Sequence, residues 1–462
     1  MVNTKTIAII AGVIILVAGM GAAFYLIQGE GEIIDVPPTG SELTIYGNAN
    51  GDKTIDSNDV RIVERVLNNE DGYTLENYPL ADANNNGEID EEDLTIVKAL
   101  AAREPTKCFV IAQLDYERDD AEYAVVEIKY PLKHVVSINA EVTTVLVNLG
   151  VASSVAGYQA SEYSNLDLKP LKDANSKALD LTSSRQVRIK SYQEIIQLDD
   201  DHESDGGVGA IFIYNTSALG DYKSDFKTAG IPVIHTKCTN PVPSIIGYRT
   251  FGFLFGTAGE SQGNAIATFI TDVMDEVDDR LASNNITEEN KVNALVLFQS
   301  TNIAGSNSQY VYAVNEAGGT VINQQAGAST RLTGSESILT FKNPKPDYII
   351  SFTTQGLVKL SDETIVGTVW DIKNLSYLSS SPAYENLVYV NASLSVPARI
   401  AYVAQTLYPV IFEGYGDEVW KNYVDQFMPF LNEAMSDGDY DVKLDFTATI
   451  SYDDYKTAGG TN

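Results

Sequence analysis

Residues 48–59 read Asn-Ala-Asn-Gly-Asp-Lys-Thr-Ile-Asp-Ser-Asn-Asp, and residues 82–93 read Asp-Ala-Asn-Asn-Asn-Gly-Glu-Ile-Asp-Glu-Glu-Asp. In both stretches, oxygen-bearing side chains occupy alternate positions and an aspartate occupies position twelve. A calcium loop needs this pattern, because the ion takes about 6 to 8 oxygen ligands, one of them the backbone carbonyl of position seven. We therefore expect two calcium ions. The predicted ligands are Asn48, Asn50, Asp52, Thr54, Asp56, Asp59, Asp82, Asn84, Asn86, Glu88, Asp90 and Asp93.

Apolar positions with helical spacing follow each loop, over residues 60–67 and 94–100. Isoleucine at position eight, Ile55 or Ile89, would let the two loops pack together. A loop followed by one helix, repeated once within residues 41–104, resembles a type I dockerin more than a complete helix-loop-helix EF-hand. The resemblance implies a small all-α calcium-binding domain whose partner is a cohesin-bearing protein.

The first loop departs from the usual calcium pattern at two positions. Asn48 replaces the usual aspartate at position one, and Lys53 stands at position six, where glycine normally makes the turn. We expect the second loop, with Asp82 and Gly87, to bind calcium more tightly. An Asn/Asp-rich solvated turn is the alternative interpretation, and the duplication favours calcium.

The net charge of the chain indicates which partners it would repel. The 63 acidic and 31 basic residues give a formal net charge of −32, which would repel a polyanion, so no nucleic acid is expected to bind. With 462 residues, 44% of them hydrophobic, the chain can bury two or three cores. We therefore expect a folded acidic protein with several domains.

Residues 7–27 form one uncharged apolar run. At about 1.5 Å per helical residue, the run can cross a hydrocarbon core of about 30 Å. Lys5 precedes the run and acidic residues follow it, which favours a body outside the cell. We expect residues 1–30 to be a transmembrane anchor, or a signal that is cleaved, and residues 31–40 to be a linker. Cys108 and Cys238 could pair outside the cell, but their spacing does not require it.

Beyond residue 107, β-rich runs alternate with helical segments, as expected for parallel sheets covered by helices. We expect strands at 134–138, 210–214, 232–235, 294–298, 348–352 and 387–390. Residues 262–281 carry a long helical pattern between the two groups of strands. The predicted fold class is α/β, with two lobes that have central sheets and are joined by one long helix. The small all-α domain and the transmembrane helix precede them.

Six further segments stand in order along the chain: the stretch from Lys133-His-Val-Val-Ser-Ile-Asn to Gly150, then Val155-Ala-Gly-Tyr158, Ala229-Gly-Ile-Pro-Val233, Phe253-Leu-Phe-Gly256, Asn343-Pro-Lys-Pro-Asp347 and Ala383-Tyr-Glu-Asn-Leu-Val-Tyr389. Together these segments resemble the substrate-binding proteins of ABC importers for iron-siderophores, haem and cobalamin. The resemblance covers about residues 107–412 and implies capture of a metal complex between lobes, followed by docking on an ABC permease. The predicted domains are 41–104, a first lobe at 107–258, a bridging helix at 259–284, a second lobe at 285–435 and a tail at 436–462.

Ligands of open α/β sheets lie beyond the carboxyl ends of the strands. Aromatic faces suit a flat macrocycle and arginine suits an acidic ligand. The predicted ligand-binding residues are Asn139, Tyr158, Tyr163, Tyr214, Asn215, Gln299, Arg331, Thr354, Trp370 and Arg399. Members of this family also present one glutamate per lobe to arginines of the permease. The matching positions are Glu194 and Glu336.

An enzyme is not expected. Residues 259–263, Gly-Glu-Ser-Gln-Gly, match the nucleophile pattern G-x-S-x-G, which requires a histidine later in the chain, and His134, His202 and His235 all precede Ser261. We expect these residues to begin the bridging helix instead. The alternative to an importer component is a structural or adhesive surface protein, or a cellulosome-type assembly protein, that uses the dockerin and has no transport role.

Overall fold

The structure is a computed structural model. It describes residues 41–113, 123–159, 168–182, 189–214, 216–235, 240–298, 302–306, 308–323, 345–353, 386–392, 394–430 and 449–451. The chain divides into two compact units. Unit one contains the described residues of 1–161, 167–238 and 245–267, and unit two contains those of 239–244 and 268–462.

The described residues form eleven α-helices and thirteen β-strands, besides short 3₁₀ turns. The elements up to the long helix are α1 Ser57–Leu67, α2 Glu91–Ala102, β1 Thr106–Gln113, β2 Tyr123–Tyr130, β3 Val135–Ile138, α3 Ala140–Asn148, β4 Val155–Tyr158, α4 Leu168–Ala174, β5 Leu179–Asp180, α5 Ile189–Asp201, β6 Ala210–Ile213, α6 Lys223–Thr228, β7 Val233–His235, α7 Pro241–Leu254 and α8 Thr257–Ser283. After it follow β8 Asn293–Phe298, β9 Asn302–Ile303, α9 Gln309–Glu316, β10 Thr320–Val321, β11 Tyr348–Thr353, β12 Leu387–Asn391, α10 Val396–Leu407, α11 Tyr415–Phe427 and β13 Thr449–Ser451.

Helices α1 and α2 each begin at the end of one acidic loop. Asp56 is the N-cap of α1 and accepts a hydrogen bond from the backbone N–H of Asn58, while the Asp59 carboxylate accepts the N–H of Asp56. Asp90 and Asp93 form the same capping box at α2. A capping box satisfies N–H groups that a helix start leaves without partners. The same residues therefore close each loop and start the helix that was predicted after it.

A β-hairpin follows the two helices. Strands β1 and β2 pair antiparallel from Thr106 opposite Tyr130 to Gln113 opposite Tyr123. Val110 of β1 also forms a β-bridge with Ile45, and Ile111 packs in a buried cluster with Tyr46 and Leu80. The hairpin was not predicted, and it connects residues 41–104 to the rest of unit one by both backbone pairing and apolar packing.

The first α/β sheet has the order β5-β4-β3-β6-β7 among the described residues, and all its neighbouring strands are parallel. Strands β3 and β6 are buried along their whole length, as expected when helices cover both faces of a parallel sheet. One side of the core contains Ile138, Ile211 and Phe226, each 0% exposed. The strands predicted at 134–138, 210–214 and 232–235 are therefore confirmed.

The G-x-S-x-G residues lie at the start of the long helix α8, as predicted, and their glycines serve close packing against α7. A Cβ built on Gly263 would collide with the backbone oxygen of Tyr248, and one on Gly252 would collide with that of Gly259. Helix backbones can approach this closely only where side chains are absent. The motif is therefore a helix-packing feature of unit one.

Replacing Gly263 by alanine is expected to destabilise unit one by about 1 to 3 kcal/mol, because the added methyl group must push two helix backbones apart. Urea unfolding followed by far-UV circular dichroism measures the change. Gly305→Ala is the control, because a Cβ at Gly305 meets no atom of the described residues within 4 Å. Equal stability of the two variants would contradict the packing role of Gly263.

The sheet of unit two has the order β10-β8-β11-β12-β13 among the described residues, with β9 paired to β8. Strands β10, β8, β11 and β12 are parallel to one another, whereas β9 joins β8 and β13 joins β12 antiparallel. The strands predicted at 294–298, 348–352 and 387–390 are confirmed. The α/β prediction with parallel sheets is therefore correct in both units.

The predicted anchor at 7–27 lies outside the described residues. Within the part of the chain that the structure describes, no helix is both long enough and apolar enough to cross a membrane. Cys108 is buried in β1, and this burial raises the pKa of its thiol. Cys238 lies outside the described residues, so the structure does not test whether the two cysteines pair.

Candidate calcium loops and ligand-binding edge

The loop at residues 82–93 is organised around two buried aspartates. The Asp82 carboxylate accepts the N–H groups of Asn86 at 3.1 Å and Gly87 at 2.8 Å. Asp93, 0% exposed, accepts those of Asn84 at 3.1 Å and Asp90 at 2.8 Å. Burial raises the pKa of both carboxyl groups although these hydrogen bonds lower it. Two ionised carboxylates in this setting need a cation beside them.

The loop at residues 48–59 has the same closing carboxylate. Asp59 is 0% exposed and accepts the N–H groups of Asn50 at 3.1 Å and Asp56 at 2.8 Å. Burial first, and the charges of Asp52 and Asp56 to a smaller extent, raise the pKa of Asp59 to about 6. A bound dication would reverse this unfavourable environment for the ionised form.

Asn48 shows how the first loop accommodates an amide at position one. Its side chain is 0% exposed, and its Nδ2 donates to the backbone oxygens of Asp52 at 2.7 Å and Leu43 at 3.0 Å. These acceptors fix the amide orientation, because the flipped amide would place oxygen against oxygen. Oδ1 is buried and has no hydrogen-bond partner among the described residues. A buried oxygen without a donor suits a cation ligand.

The remaining predicted ligands shape the loops through side-chain turns. Asn50 Oδ1 accepts the N–H of Asp52 at 2.9 Å, and Asp52 Oδ1 accepts that of Thr54 at 2.9 Å. In the second loop, Asn84 Oδ1 accepts the N–H of Asn86 at 3.1 Å, and Asn86 Oδ1 accepts that of Glu88 at 2.8 Å. Such turns bring oxygens from alternate positions to one side of the loop.

Among the described residues, no group of three or more His, Cys, Asp and Glu side chains could hold a metal ion. The two loops instead combine carboxylates with asparagine and backbone oxygens. Hard oxygen donors of this mixed kind fit calcium, which accepts amide and carbonyl oxygens, and do not fit zinc, which prefers nitrogen and sulfur. Both loops therefore fit the ion that the sequence predicts.

The carboxyl ends of three adjacent strands meet at one edge of the first sheet. Asn139 follows β3, Tyr158 ends β4 and Tyr214 follows β6. Asn139 Oδ1 accepts the N–H of Tyr214 at 3.0 Å, and the N–H of Asn139 donates to Gln159 Oε1 at 3.2 Å. Asn139 has φ 96° and ψ 138°, a conformation that strains any residue with a side chain. Strain held in place by neighbours is frequent at binding sites.

The other predicted ligand residues are placed differently. Arg399 is 4% exposed in α10 and donates to Gln309 Oε1 at 2.7 Å and to the backbone oxygens of Leu394 at 3.0 Å and Ala392 at 3.1 Å. Its role in ligand binding stays a prediction, as does that of the remaining positions. Tyr163, Asn215, Gln299, Arg331, Thr354 and Trp370 lie outside the described residues.

Of the two predicted docking glutamates, Glu194 lies on α5 and forms a 3.5 Å ion pair with Lys190. Glu336 lies outside the described residues. Their docking role stays a prediction.

Two features of these sites were not predicted from the sequence. Gln159, 5% exposed, directly follows β4 and contacts Asn139; its position after a predicted strand was a signal that could have identified it. An ion pair between Arg103 and Glu260 touches the first calcium loop. Because 157 residues separate its members, no local pattern in the sequence indicates it.

Comparison with known proteins adds a family match and a fold. Residues 46–100 match the model of the dockerin type I domain. No functionally curated protein matches the chain. The solved TroA-like periplasmic binding protein FepB from Veillonella parvula has 16% sequence identity and a TM-score of 0.50, over 69% of this chain and 97% of FepB.

Two further solved structures resemble the chain. A periplasmic solute binding protein from Veillonella parvula DSM 2008 has 18% identity and a TM-score of 0.47, over 70% of this chain and 93% of its own. The molybdate periplasmic binding protein MolA from Haemophilus influenzae has 13% identity and a TM-score of 0.49, over 66% and 95% respectively. At such identities the likeness shows the fold alone, and the fold assignment rests on FepB. The chain therefore carries a dockerin type I domain together with the α/β fold of a periplasmic binding protein.

Proposed function

We propose that this protein is an extracytoplasmic solute-binding protein that delivers its ligand to an ABC permease and is not an enzyme. The observation that carries the proposal is the convergence of Asn139, Tyr158 and Tyr214 at the carboxyl ends of β3, β4 and β6. Ligands of open parallel sheets bind at such an edge. The periplasmic-binding-protein fold supports the same conclusion.

The proposed ligand is a metal complex such as a ferric siderophore, haem or a cobalamin-like corrinoid. Tyr214 is partly exposed after β6 and would offer an aromatic face to a flat macrocycle, whereas Tyr158 is only 2% exposed. The proposed docking residues toward the permease are Glu194 and Glu336. Residues 1–30 would tether the protein to the membrane with its body outside the cell.

The dockerin domain gives the protein a second proposed partner. Two calcium ions, one in each loop, would hold the domain in shape for a cohesin-bearing protein. The support comes from the buried carboxylates Asp59, Asp82 and Asp93 and from the free oxygen of Asn48. A solute receptor would in this way be fixed to a surface assembly.

A binding screen tests the transport function. The chain from residue 41 onward is titrated with corrinoids, haem and ferric siderophores, and we expect one class to bind with a Kd of about 1 μM or tighter. Asn139→Ala should weaken that ligand at least about tenfold, since it disturbs the strand-end contacts. Asn285→Ala is the control, because Asn285 is exposed and also has a positive φ, of 58°.

Absence of binding across this panel would contradict the transport function. The dockerin match favours the assembly protein as the second candidate function. Capture of a cohesin domain by a protein that binds none of the ligands would support that candidate.

A further inference from the structure

Arg103 and Glu260 form an ion pair at the first calcium loop. Arg103 follows α2, and Glu260 lies in the first turn of α8. The guanidinium donates through Nε at 2.7 Å and Nη2 at 2.6 Å to the two carboxylate oxygens. The side chains are 16% and 11% exposed, and the guanidinium lies 4.7 Å from the centre of the Phe253 ring. A paired and largely buried guanidinium of this kind has little freedom to move.

The ion pair also contacts positions seven and eight of the first loop. Arg103 Nη1 donates to the backbone oxygen of Ile55 at 2.8 Å, and Nη2 donates to Thr54 Oγ1 at 3.0 Å. Thr54 Oγ1 in turn donates to Glu260 Oε1 at 2.6 Å. Position seven is the one whose backbone carbonyl a calcium loop uses as a ligand. The network therefore fixes the backbone at that ligand.

Charge gives Glu260 a second effect. The first loop has a neutral amide at position one, whereas the second loop has Asp82 there. Arg103 alone would place a positive charge beside a dication, and the carboxylate of Glu260 offsets it. Glu88 stands at position seven of the second loop, as Thr54 does in the first, and Glu88 is exposed. The first loop thus has support from a distant helix that would compensate for its weaker ligand set.

We propose that Glu260 is a positioning residue that sets the calcium affinity of the first loop, and that calcium in this loop in turn stabilises the start of α8. The proposal rests on the calcium binding included in the proposed function. Coupling of this kind is reciprocal, because a residue that strengthens ion binding is itself held more firmly once the ion is bound.

The test follows hydrogen exchange of the full chain by mass spectrometry while free calcium is raised. Peptides covering residues 48–59 and 82–93 report the calcium midpoint of each loop separately. Glu260→Gln should raise the midpoint of the first loop by about 10- to 100-fold, as for other residues that support a metal ligand, and leave the second unchanged. Calcium should also slow exchange at residues 257–262 in the native protein and not in the variant.

Two further variants complete the design. Glu42→Gln is the matched control, because Glu42 pairs with Arg249 at 2.7 Å between the same two regions and, among the described residues, its carboxylate is bonded to that arginine and not to the calcium loop. It should leave both midpoints unchanged. Thr54→Val removes the hydroxyl that donates to Glu260 and keeps the backbone carbonyl, so it should weaken the first loop even if Glu260→Gln fails to fold.

The outcomes separate the proposals. An unchanged first-loop midpoint in both Glu260→Gln and Thr54→Val would overturn the role of Glu260. An equal rise in both loops would also overturn it, because it would indicate general destabilisation of the domain. If calcium slowed hydrogen exchange at neither loop of the native protein, the calcium part of the proposed function itself would be overturned.

Discussion

Removal of calcium with a chelator is expected to unfold residues 41–104 while the sheets of both units persist. Asp59 and Asp93 are fully buried, and without an ion they bring unpaired charge into the domain. At a free calcium concentration about 1,000 times its Kd, each ion contributes about 4 kcal/mol to the stability of the domain that binds it. Loss of two such contributions removes about 8 kcal/mol, which is comparable to the whole stability of about 3 to 10 kcal/mol that a domain of this size normally has.

Far-UV circular dichroism and hydrogen exchange measure this change. We expect α1 and α2 to lose protection and to regain it when calcium is restored. Both tryptophans of the chain, Trp370 and Trp420, lie outside residues 41–104 of the sequence, so tryptophan fluorescence serves as the internal control and should stay constant. An unchanged circular dichroism spectrum after chelation would contradict calcium-dependent folding.

Replacing Arg399 by alanine is expected to destabilise unit two by about 3 to 5 kcal/mol. The guanidinium donates to Gln309 and to the backbone oxygens of Ala392 and Leu394, and the arginine is 4% exposed. The substitution leaves these acceptors buried without a donor and opens a cavity. Urea unfolding followed by tryptophan fluorescence measures the change, because Trp420 lies on α11 of unit two.

Lys421→Ala is the control for this measurement, because Lys421 forms a surface ion pair with Asp425 and is 74% exposed. Its removal should change stability by less than about 0.5 kcal/mol. If Arg399→Ala were as stable as the control, the hydrogen bonds around Arg399 would not support the strand end and α10. A ligand role for Arg399 would then be the simpler explanation of its position.

The sequence was sufficient to predict the parts of the fold that local patterns encode. The buried strands β3, β6 and β8 are apolar runs rich in Val, Ile and Leu, and such runs can bury both faces only inside a covered parallel sheet. The acidic loops were recognisable because calcium imposes its ligand spacing on the chain. The long helix was recognisable because its apolar positions follow helical periodicity.

Features that depend on distant residues could not be predicted in this way. The hairpin of β1 and β2 is connected by residues 114–122, Leu-Asp-Tyr-Glu-Arg-Asp-Asp-Ala-Glu, which lack the short turn sequence that identifies most hairpins. Arg103 and Glu260 meet only because the fold brings them together. An arginine such as Arg399 has the same chemistry whether its acceptors belong to a ligand or to the backbone.

The hairpin has a mechanical consequence for the dockerin domain. Only Glu104 and Pro105 separate Arg103 from β1, and the bridge between Ile45 and Val110 holds the other end of the same domain. A dockerin on a long flexible linker can rotate independently of the domain attached to it. A connection this short restricts that rotation. A scaffold bound to this domain would therefore also fix the orientation of the adjoining lobe.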